Sequence, residues 1–289
     1  MWTQSNRLGV FLIFFVSCFQ MVLTLPLYSQ NLNANKVPLG EKILTWGCVY
    51  SRVPVKELKK SLAGLLVIQP DPYTASDVAE LKRGNRQVLA YLSVGEAESY
   101  RPYFKKNIIS DLLIKENPEW KDNFPVKFWD PAWEIIVSEY AETIAAKGFN
   151  GFVLDVVDAW EVQQNKGIAK AQMTELILSI VRHLRKDNPD LVFIVLNSHA
   201  LFDDSRFSDE IDGIIQESLY YSWKEAPPVS WQKEKITALK KLRETGKFVG
   251  LLEYTRRVVQ IAKTKRIARN LGFVPYFTEK KLQKLFPIP

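Results

Sequence analysis

Eight short apolar, β-rich segments recur along the chain, and amphipathic segments of helical period lie between most of them. The β-rich segments are residues 43–50, 64–70, 87–96, 151–157, 191–197, 213–221, 248–254 and 272–277. The helical segments include residues 55–62, 75–84, 131–148, 172–189 and 234–246. Alternation of strand and helix indicates a parallel sheet, and eight such strands close a barrel. We therefore predict an α/β chain folded as a single-domain (β/α)8 TIM barrel, with residues 198–212 as its least regular connection.

The N-terminus carries an apolar run, residues 8–25, which follows Arg7 and precedes a polar stretch. This pattern predicts a secretion signal over residues 1–29, cleaved after Ser29, and so a secreted or cell-envelope protein, periplasmic or extracellular. The run is close to the shortest that spans a bilayer, so an uncleaved N-terminal anchor is an alternative, and lipidation of Cys18 is another. Residues 30–41 are predicted to be a disordered leader and residues 42–289 the barrel.

Composition narrows the possible partners. Removal of the signal leaves about 260 residues, the usual size of one barrel, and lowers the net charge from +7 to +6 because Arg7 is lost. Much of the excess lies in residues 256–269, spaced like the solvated face of a helix rather than like a site for an acidic polymer or membrane. Cys48 would be the one remaining cysteine, which excludes an internal disulfide. We expect a monomer with no nucleic-acid partner.

Several reaction types lack the residues they need. The sequence contains no GxSxG elbow, no GxGxxG after a strand and no GxxxxGK[ST] loop, so nucleotide-driven chemistry is not supported. Only His183 and His199 are present, which excludes a histidine-rich metal site. An oxygen-ligand calcium or magnesium site at Asp155 and Asp158 stays open, but our prediction is no metal and no cofactor.

The segment 148–161, GFNGFVLDVVDAWE, ends an apolar strand with carboxylates. A strand that is apolar on both faces belongs to a parallel sheet covered by helices, and active sites of such sheets lie at the carboxyl ends of the strands. We therefore expect Asp155 and Asp158 to take part in chemistry. The alternative is that one of these aspartates caps the next helix, and Asp158 is the stronger candidate for that role.

Polar and aromatic side chains also follow the other strands, and in a barrel all these ends share one pocket. They are Gln69, Asp71, Tyr91, Ser93, Glu96, Glu98, Asp155, Asp158, Trp160, Asn197, His199, Glu217, Tyr220, Tyr221, Glu253, Tyr254 and Tyr276. Paired carboxylates with aromatic walls suit glycoside hydrolysis, because one carboxyl protonates the leaving oxygen while the other attacks or activates water, and sugar faces stack on rings. Some of these aromatics are expected to fill the barrel interior instead.

Three blocks together resemble glycoside hydrolase family 114, the secreted (β/α)8-barrel endo-α-1,4-polygalactosaminidases and their relatives. The blocks are YLSVGEAESYRPYF at 91–104, GFNGFVLDVVDAWE at 148–161 and IIQESLYY at 214–221. The resemblance covers nearly all of residues 43–280. It implies hydrolysis of α-1,4-linked galactosamine polymers, with a polysaccharide substrate as the partner.

The resemblance also implies roles for particular residues. A strand-4 aspartate and a strand-6 glutamate form the family's catalytic pair, and these positions match Asp155 and Glu217. We assign Asp155 as nucleophile and Glu217 as general acid/base of a retaining reaction, with a raised pKa for Glu217 and an ionised Asp155. The predicted substrate-binding residues are Tyr91, Ser93, Glu96, Asp158, Trp160, Asn197, Tyr220, Tyr254 and Tyr276.

The block after strand 3 matches the family's substrate-side motif through Ser93, Glu96, Glu98 and Arg101. Glu96 and Glu98 alternate with small residues and face the same side in an extended chain. We expect Glu96 to reach the pocket and Glu98 to form a salt bridge with Arg101 that fixes the loop, at about 0–1 kcal/mol if it is exposed.

The aromatic residues divide into two predicted groups. Trp160, Tyr254 and Tyr276 are expected to stack on sugar rings at the barrel mouth. Trp129 and Trp133 flank an Asp-Pro helix start and are expected to pack against the barrel.

One departure from the family pattern concerns the substrate. Relatives often carry an aspartate at the end of strand 2, where this chain has Gln69, with Asp71 two places later. If that carboxylate recognises a sugar amino group, glutamine weakens the attraction. Similar proteins have also been labelled cysteinyl-tRNA synthetase-related, a label that the export signal and the missing nucleotide motifs oppose.

Two rival functions remain on the same scaffold. A non-catalytic polysaccharide-binding protein would use the strand-end residues without cleavage, because a fold does not fix an activity. An exported hydrolase for a substrate other than a glycan would need a metal or a non-carboxylate nucleophile, and the sequence offers neither clearly.

Overall fold

A computed structural model describes residues 37–84, 86–105 and 109–287 of the chain. The predicted signal peptide and most of the leader lie outside these residues. Within the described part, no helix is long and apolar enough to cross a membrane.

Eight parallel strands form the predicted (β/α)8 barrel, and they pair in chain order. The barrel strands are β1 Trp46–Val49, β2 Leu65–Ile68, β3 Gln87–Ser93, β4 Gly151–Asp155, β5 Val192–Leu196, β6 Gly213–Glu217, β7 Phe248–Glu253 and β8 Val274–Phe277. Between β8 and β1, the Trp46 indole Nε1 donates to the Val274 carbonyl at 2.7 Å. The Trp46 ring also packs on Tyr276, with 5.5 Å between ring centroids.

Helices cover the outside of the sheet. They are α1 Leu39–Lys42, α2 Val55–Leu58, α3 Ala75–Leu81, α4 Ile109–Leu112, α5 Pro131–Ala145, α6 Lys166–Asp187, α7 Ser205–Glu210, α8 Val229–Glu244 and α9 Val258–Leu271. Short 3-10 helices span Pro102–Lys105, Ala159–Val162 and His199–Asp203. The connection predicted to be least regular therefore consists of one 3-10 turn and the short α7.

The strands alternate their side chains between two apolar layers. In β2, Leu65 and Val67 pack inside the barrel, whereas Leu66 and Ile68 pack against the helices. Both sets are fully buried, because each face of a parallel barrel strand is covered. Cys48 belongs to the inner layer, and burial raises the pKa of its thiol, as expected of an inert cysteine.

Two boundaries differ from the sequence-based prediction. The segment predicted as one strand over 87–96 ends at Ser93, and Glu96–Glu98 instead pairs antiparallel with Asn123–Pro125. The predicted leader overlaps α1, where the Gly40 amide donates to the Gly246 carbonyl at 3.1 Å. Residues 39–41 of the predicted leader are therefore helical.

Candidate active site

A cavity of about 520 Å³ opens at the carboxyl ends of the strands. Its walls come from the ends of β4, β6 and β7, from the ribbon after β3 and from loops after β1 and β6. Six acidic residues line it against one lysine, Lys281, so its wall is rich in groups that can accept hydrogen bonds from a cationic ligand. The carboxylates are those of Glu96, Glu98, Asp155, Asp158, Glu161 and Glu217.

Asp155 is the last residue of β4, and two donors fix its carboxylate. The Tyr91 hydroxyl donates to Oδ2 at 2.8 Å, and the Val156 amide donates to Oδ1 at 2.7 Å. Val156 has a φ of +57°, a left-handed conformation that is costly for a β-branched residue. This turn brings the Val156 amide back onto Asp155, and strain of this kind is concentrated at functional sites.

Glu217 is the last residue of β6 and is held from two neighbouring strands. Asn197, after β5, donates its Nδ2 to Oε2 at 3.0 Å, and the Tyr254 hydroxyl, after β7, donates to Oε1. Asn197 also accepts from the Glu217 amide and from the Gln216 side chain. The side-chain amide of Asn197 is therefore held through both its oxygen and its nitrogen, and its NH2 group points at the Glu217 carboxylate.

Electrostatics couples the two carboxyl groups. Burial raises the pKa of Asp155 well above its usual value, and the charge of Glu217 raises it further. Burial also raises the pKa of Glu217, although the hydrogen bonds from Tyr254 and Asn197 oppose the shift. The expectation of an ionised Asp155 beside a protonated Glu217 does not follow from these shifts, since both rise. Both carboxyl groups are therefore harder to ionise than free ones, and the shifts by themselves do not assign the acid to one of them.

Asp158 also faces the cavity. It occupies the position before the 3-10 helix Ala159–Val162, but its side chain makes no capping hydrogen bond. Burial, followed by the charge of Glu161, raises the pKa of Asp158 to about 6. The helix-capping alternative is therefore not supported by this geometry.

The block after β3 contains two glutamates in different settings. Glu96 is 6% exposed and accepts from the Asn117 Nδ2 at 2.7 Å, and burial raises its pKa. Ser93 Oγ bonds the backbone of Glu96 and does not line the cavity. Ser93 thus fixes Glu96 instead of contacting a ligand, which corrects its predicted substrate-binding role.

Glu98 reaches the cavity wall but pairs with Arg101 Nε at 2.6 Å. The predicted salt bridge is therefore present, and both of its side chains are almost fully buried. The other guanidinium nitrogens of Arg101 donate to Asp71 and Gln69. The Gln69 oxygen is therefore already occupied, and the position that differs from relatives belongs to this buried network.

The predicted aromatic wall is only partly correct. Tyr91 and Tyr254 line the cavity through their contacts with Asp155 and Glu217. Tyr276 is fully buried in the barrel interior, where its hydroxyl accepts from the Phe286 amide, so it cannot stack on a sugar. Trp160 does not line the cavity, because its indole donates to Ser198. Tyr220 lines a separate shallow depression.

Other cavity residues were missed by the sequence analysis. Tyr50 follows β1 and packs on Tyr91, with 4.4 Å between ring centroids. Its position at the end of a predicted strand was a usable signal. Trp120 and Trp223 come from loops and meet edge to face, and no periodic pattern marks them. Asn117, which holds Glu96, lies in the same insertion as Trp120.

Metal binding has no cluster to support it in residues 37–84, 86–105 and 109–287. No group of three or more His, Cys, Asp or Glu side chains is arranged there to hold an ion.

Comparison with known proteins identifies the family. The model of glycoside hydrolase family GH114 matches residues 28–289. The chain belongs to this family. It is therefore a glycoside hydrolase by family. An uncharacterised protein of Deinococcus radiodurans is 30% identical over 263 residues, which are 87% of this chain and 85% of the relative.

Two solved structures share the fold of this GH114 chain. The glycoside hydrolase domain of PelA from Pseudomonas aeruginosa has a TM-score of 0.69 at 18% identity, covering 83% of this chain and 96% of that domain. Aspergillus fumigatus Ega3 in complex with galactosamine has a TM-score of 0.69 at 16% identity, covering 88% of this chain and 98% of Ega3.

Proposed function

We propose that this GH114 chain hydrolyses α-1,4-linked galactosamine polymers with Asp155 and Glu217 as its catalytic pair. One observation carries the proposal: the carboxyl groups at the ends of β4 and β6 enter one cavity, and the charge of Glu217 raises the pKa of Asp155. Two carboxyl groups that sense each other in this way can act on the same glycosidic bond.

The roles follow from what each group must do. Glu217, in its protonated form, donates to the leaving oxygen while the ionised Asp155 attacks the anomeric carbon. Glu217 then takes a proton from water, which attacks the glycosyl-enzyme ester and releases Asp155. Burial raises the pKa of Glu217, which is the direction that a general acid requires. Tyr91 and Tyr254 orient the two carboxylates.

The cavity charge supports an amino-sugar substrate. Arg101 neutralises Glu98, but five other carboxyl groups line the cavity against one lysine and can bind ammonium groups, and the similarly folded Ega3 is solved with galactosamine. Glu96 has a neutral partner, Asn117, and no cationic one among the contacts described, so we assign it to a sugar ammonium or hydroxyl. Trp120 and Trp223 replace Trp160 and Tyr276 as the aromatic walls of our proposal.

Secretion remains part of the proposal. A cleaved signal over residues 1–29 would deliver the enzyme outside the cytoplasm, to its polymer, as a monomer. N-terminal sequencing of the exported protein should begin at Gln30. An intact or lipidated N-terminus would instead support the anchored alternatives.

The experiment is a reducing-end release assay on purified galactosaminan, its N-acetylated form and neutral polysaccharides. Wild type should cleave galactosaminan, and Asp155→Asn and Glu217→Gln should each lose at least about 10³-fold in kcat/KM, typical when one catalytic group is removed. Glu57→Gln removes an exposed carboxylate outside the cavity and is the control, with wild-type kcat/KM expected. Binding of galactosaminan by wild type without release of reducing ends would favour the polysaccharide-binding alternative.

Azide separates the two roles. In Asp155→Ala, azide should attack the anomeric carbon directly and give an inverted β-glycosyl azide, because the nucleophile is gone. In Glu217→Ala it should intercept the glycosyl-enzyme and give the retained α-azide. If the two variants gave the opposite azides, the roles of Asp155 and Glu217 would be exchanged. If wild type released a sugar with inverted anomeric configuration, a retaining reaction would be excluded.

A further inference from the structure

A second concave surface lies outside the barrel, between the beginnings of α5 and α6. It is a groove of about 360 Å³. Its apolar wall includes Trp129, which is 40% exposed, and Ile168, which is 58% exposed. The sequence analysis expected Trp129 and Trp133 to pack against the barrel. Trp133 does so at 0% exposure, whereas Trp129 presents its ring to solvent.

The exposed ring is held firmly. Phe128 is 2% exposed and contacts the Trp129 ring edge to face, with 5.0 Å between centroids and 82° between planes. The next residue, Asp130, caps α5 by accepting from the Ala132 amide at 2.9 Å. The Trp129 ring lies between the buried Phe128 and the capping residue Asp130. It therefore offers a flat surface that loses little conformational entropy when a ligand stacks on it.

The groove is acidic although the chain is basic overall. Asp130, Glu134 and Glu175 line it, and its described lining includes no lysine or arginine, whereas the whole chain carries a net charge of +7. Glu134 accepts from Ser179, and Glu175 pairs with Arg206 at 2.7 Å, so the carboxylates are ordered. An aromatic platform beside carboxylates matches a pyranose ring that carries an ammonium group.

The groove adjoins the catalytic cavity through two segments. Val126 lines the cavity, and Phe128 and Trp129 line the groove shortly after it. Val162 lines the cavity and is 84% exposed, and Ile168 of the groove follows it after one short turn. Since α5 and α6 begin at the face where the strands end, both sites lie on the same rim.

We propose that the Trp129 groove is a second binding site for the galactosamine polymer. The groove holds one part of a polymer molecule while another part of the same molecule lies in the catalytic cavity. The proposal rests on the proposed function for its ligand. A remote site that contacts only long chains lowers KM for polymer without changing the chemical step, because its contacts are equal in the ground and transition states.

The test compares long galactosaminan with oligosaccharides that are too short to leave the cavity. Trp129→Ala should raise KM for the polymer about three- to tenfold, as loss of one stacked ring implies, and leave kcat and both constants for oligosaccharides unchanged. Trp129→Phe should restore most of the polymer affinity. Leu62→Ala removes another exposed apolar side chain and is the matched control, with no expected effect.

Direct binding distinguishes this inference from the proposed function. In an Asp155→Asn background, Trp129→Ala should weaken polymer binding by the same factor, and Glu134→Gln with Glu175→Gln should weaken it for galactosaminan but not for its N-acetylated form. If wild type cleaves galactosaminan and Trp129→Ala has an unchanged KM for the polymer, the groove proposal alone is overturned. Absence of both cleavage and binding of galactosaminan by wild type would overturn both proposals.

Discussion

Individual residues around the cavity divide into those that face a ligand and those that hold others in place. Glu96 and Glu98 are two residues apart on the same short strand and both line the cavity. Glu96 bonds the neutral Asn117, whereas Glu98 neutralises a guanidinium that is 1% exposed. Removal of a charge therefore has different consequences at the two positions.

Glu96→Gln and Glu98→Gln should separate activity from stability. Glu96→Gln keeps a side chain of the same size and should lower kcat/KM on galactosaminan about tenfold or more with little change in melting temperature. Glu98→Gln leaves the buried Arg101 with less compensation and should lower the free energy of unfolding by about 3 kcal/mol, within the range for broken buried pairs. Steady-state kinetics and denaturant titration of both variants provide the measurements.

The converse pattern would contradict this division. If Glu98→Gln loses activity at unchanged stability, Glu98 contacts the substrate. If Glu96→Gln unfolds the protein, the bond to Asn117 is structural.

At the scale of elements, β4, β5 and β6 end in the same way. Each strand is followed at once by a residue with positive φ, namely Val156 at +57°, Asn197 at +63° and Ser218 at +52°. These turns redirect the chain just beyond the strand, beside Asp155 and Glu217. The start of β4 is equally constrained, because Gly151 has a φ of +154° and lies against the Val192 backbone.

Gly151→Ala should therefore displace β4. A Cβ at this position would lie 1.8 Å from the Val192 carbonyl oxygen, so the strand or its neighbour must move. We expect a loss of about 3 kcal/mol or more in the free energy of unfolding, from backbone strain and overpacking together, and a loss of activity because Asp155 moves with the strand.

Gly148→Ala is the matched control in the same turn. Gly148 also has a positive φ, +83°, but no atom lies within 4 Å of its Cβ position. Gly148→Ala should lower the free energy of unfolding by about 1–2 kcal/mol, because only the strain of a left-handed backbone contributes. Equal losses for the two variants in denaturant titrations would show that the approach to Val192 does not matter.

The molecule as a whole concentrates buried carboxyl groups at one end of the barrel. Glu253 ends β7, is 0% exposed and accepts backbone amides of Tyr220 and Tyr221, which holds the loop after β6. Burial raises its pKa to about 8. Asp155, Asp158, Glu96 and Glu217 are shifted in the same direction.

Stability should consequently fall as the pH rises from about 4.5 to 8. A carboxyl group whose pKa is higher in the folded than in the unfolded state favours folding while it is protonated, and that contribution is lost between the two pKa values. Glu253→Gln keeps an acceptor for the loop amides and removes one such group. Its free energy of unfolding should depend less steeply on pH, by at most about 1.4 kcal/mol per pH unit.

Chemical denaturation at several pH values tests this expectation. Asp77→Asn is a contrasting control, because the pKa of Asp77 is lowered by its bonds to Thr74 and it should not reduce the slope above pH 5. An unchanged slope in Glu253→Gln would mean that Glu253 is ionised in the folded protein.

The sequence by itself determined the barrel and its family. Eight strands separated by helices leave few arrangements, and the polar ends of those strands must meet at one face, so Asp155, Glu217, Tyr91, Asn197 and Tyr254 could be placed in one cavity without coordinates. The barrel and its strand ends follow from hydrophobic periodicity and from the order of elements along the chain, whereas the family followed from the resemblance of three sequence blocks.

Tertiary structure decided how deeply each side chain is buried, which residues it contacts and which loop residues reach the cavity. Tyr276 lies one position before the end of its strand, as the predicted segment 272–277 also has it, but its side chain is buried in the barrel interior, and the strand boundary alone does not decide that burial. Trp120 and Trp223 reach the cavity from irregular loops, and Trp129 stays exposed where a helix start suggested packing. Arg101 gathers Glu98, Asp71 and Gln69 from distant parts of the chain. Such contacts depend on how non-adjacent segments fold onto each other, because burial and pairing are set by neighbours in space and not by neighbours in sequence.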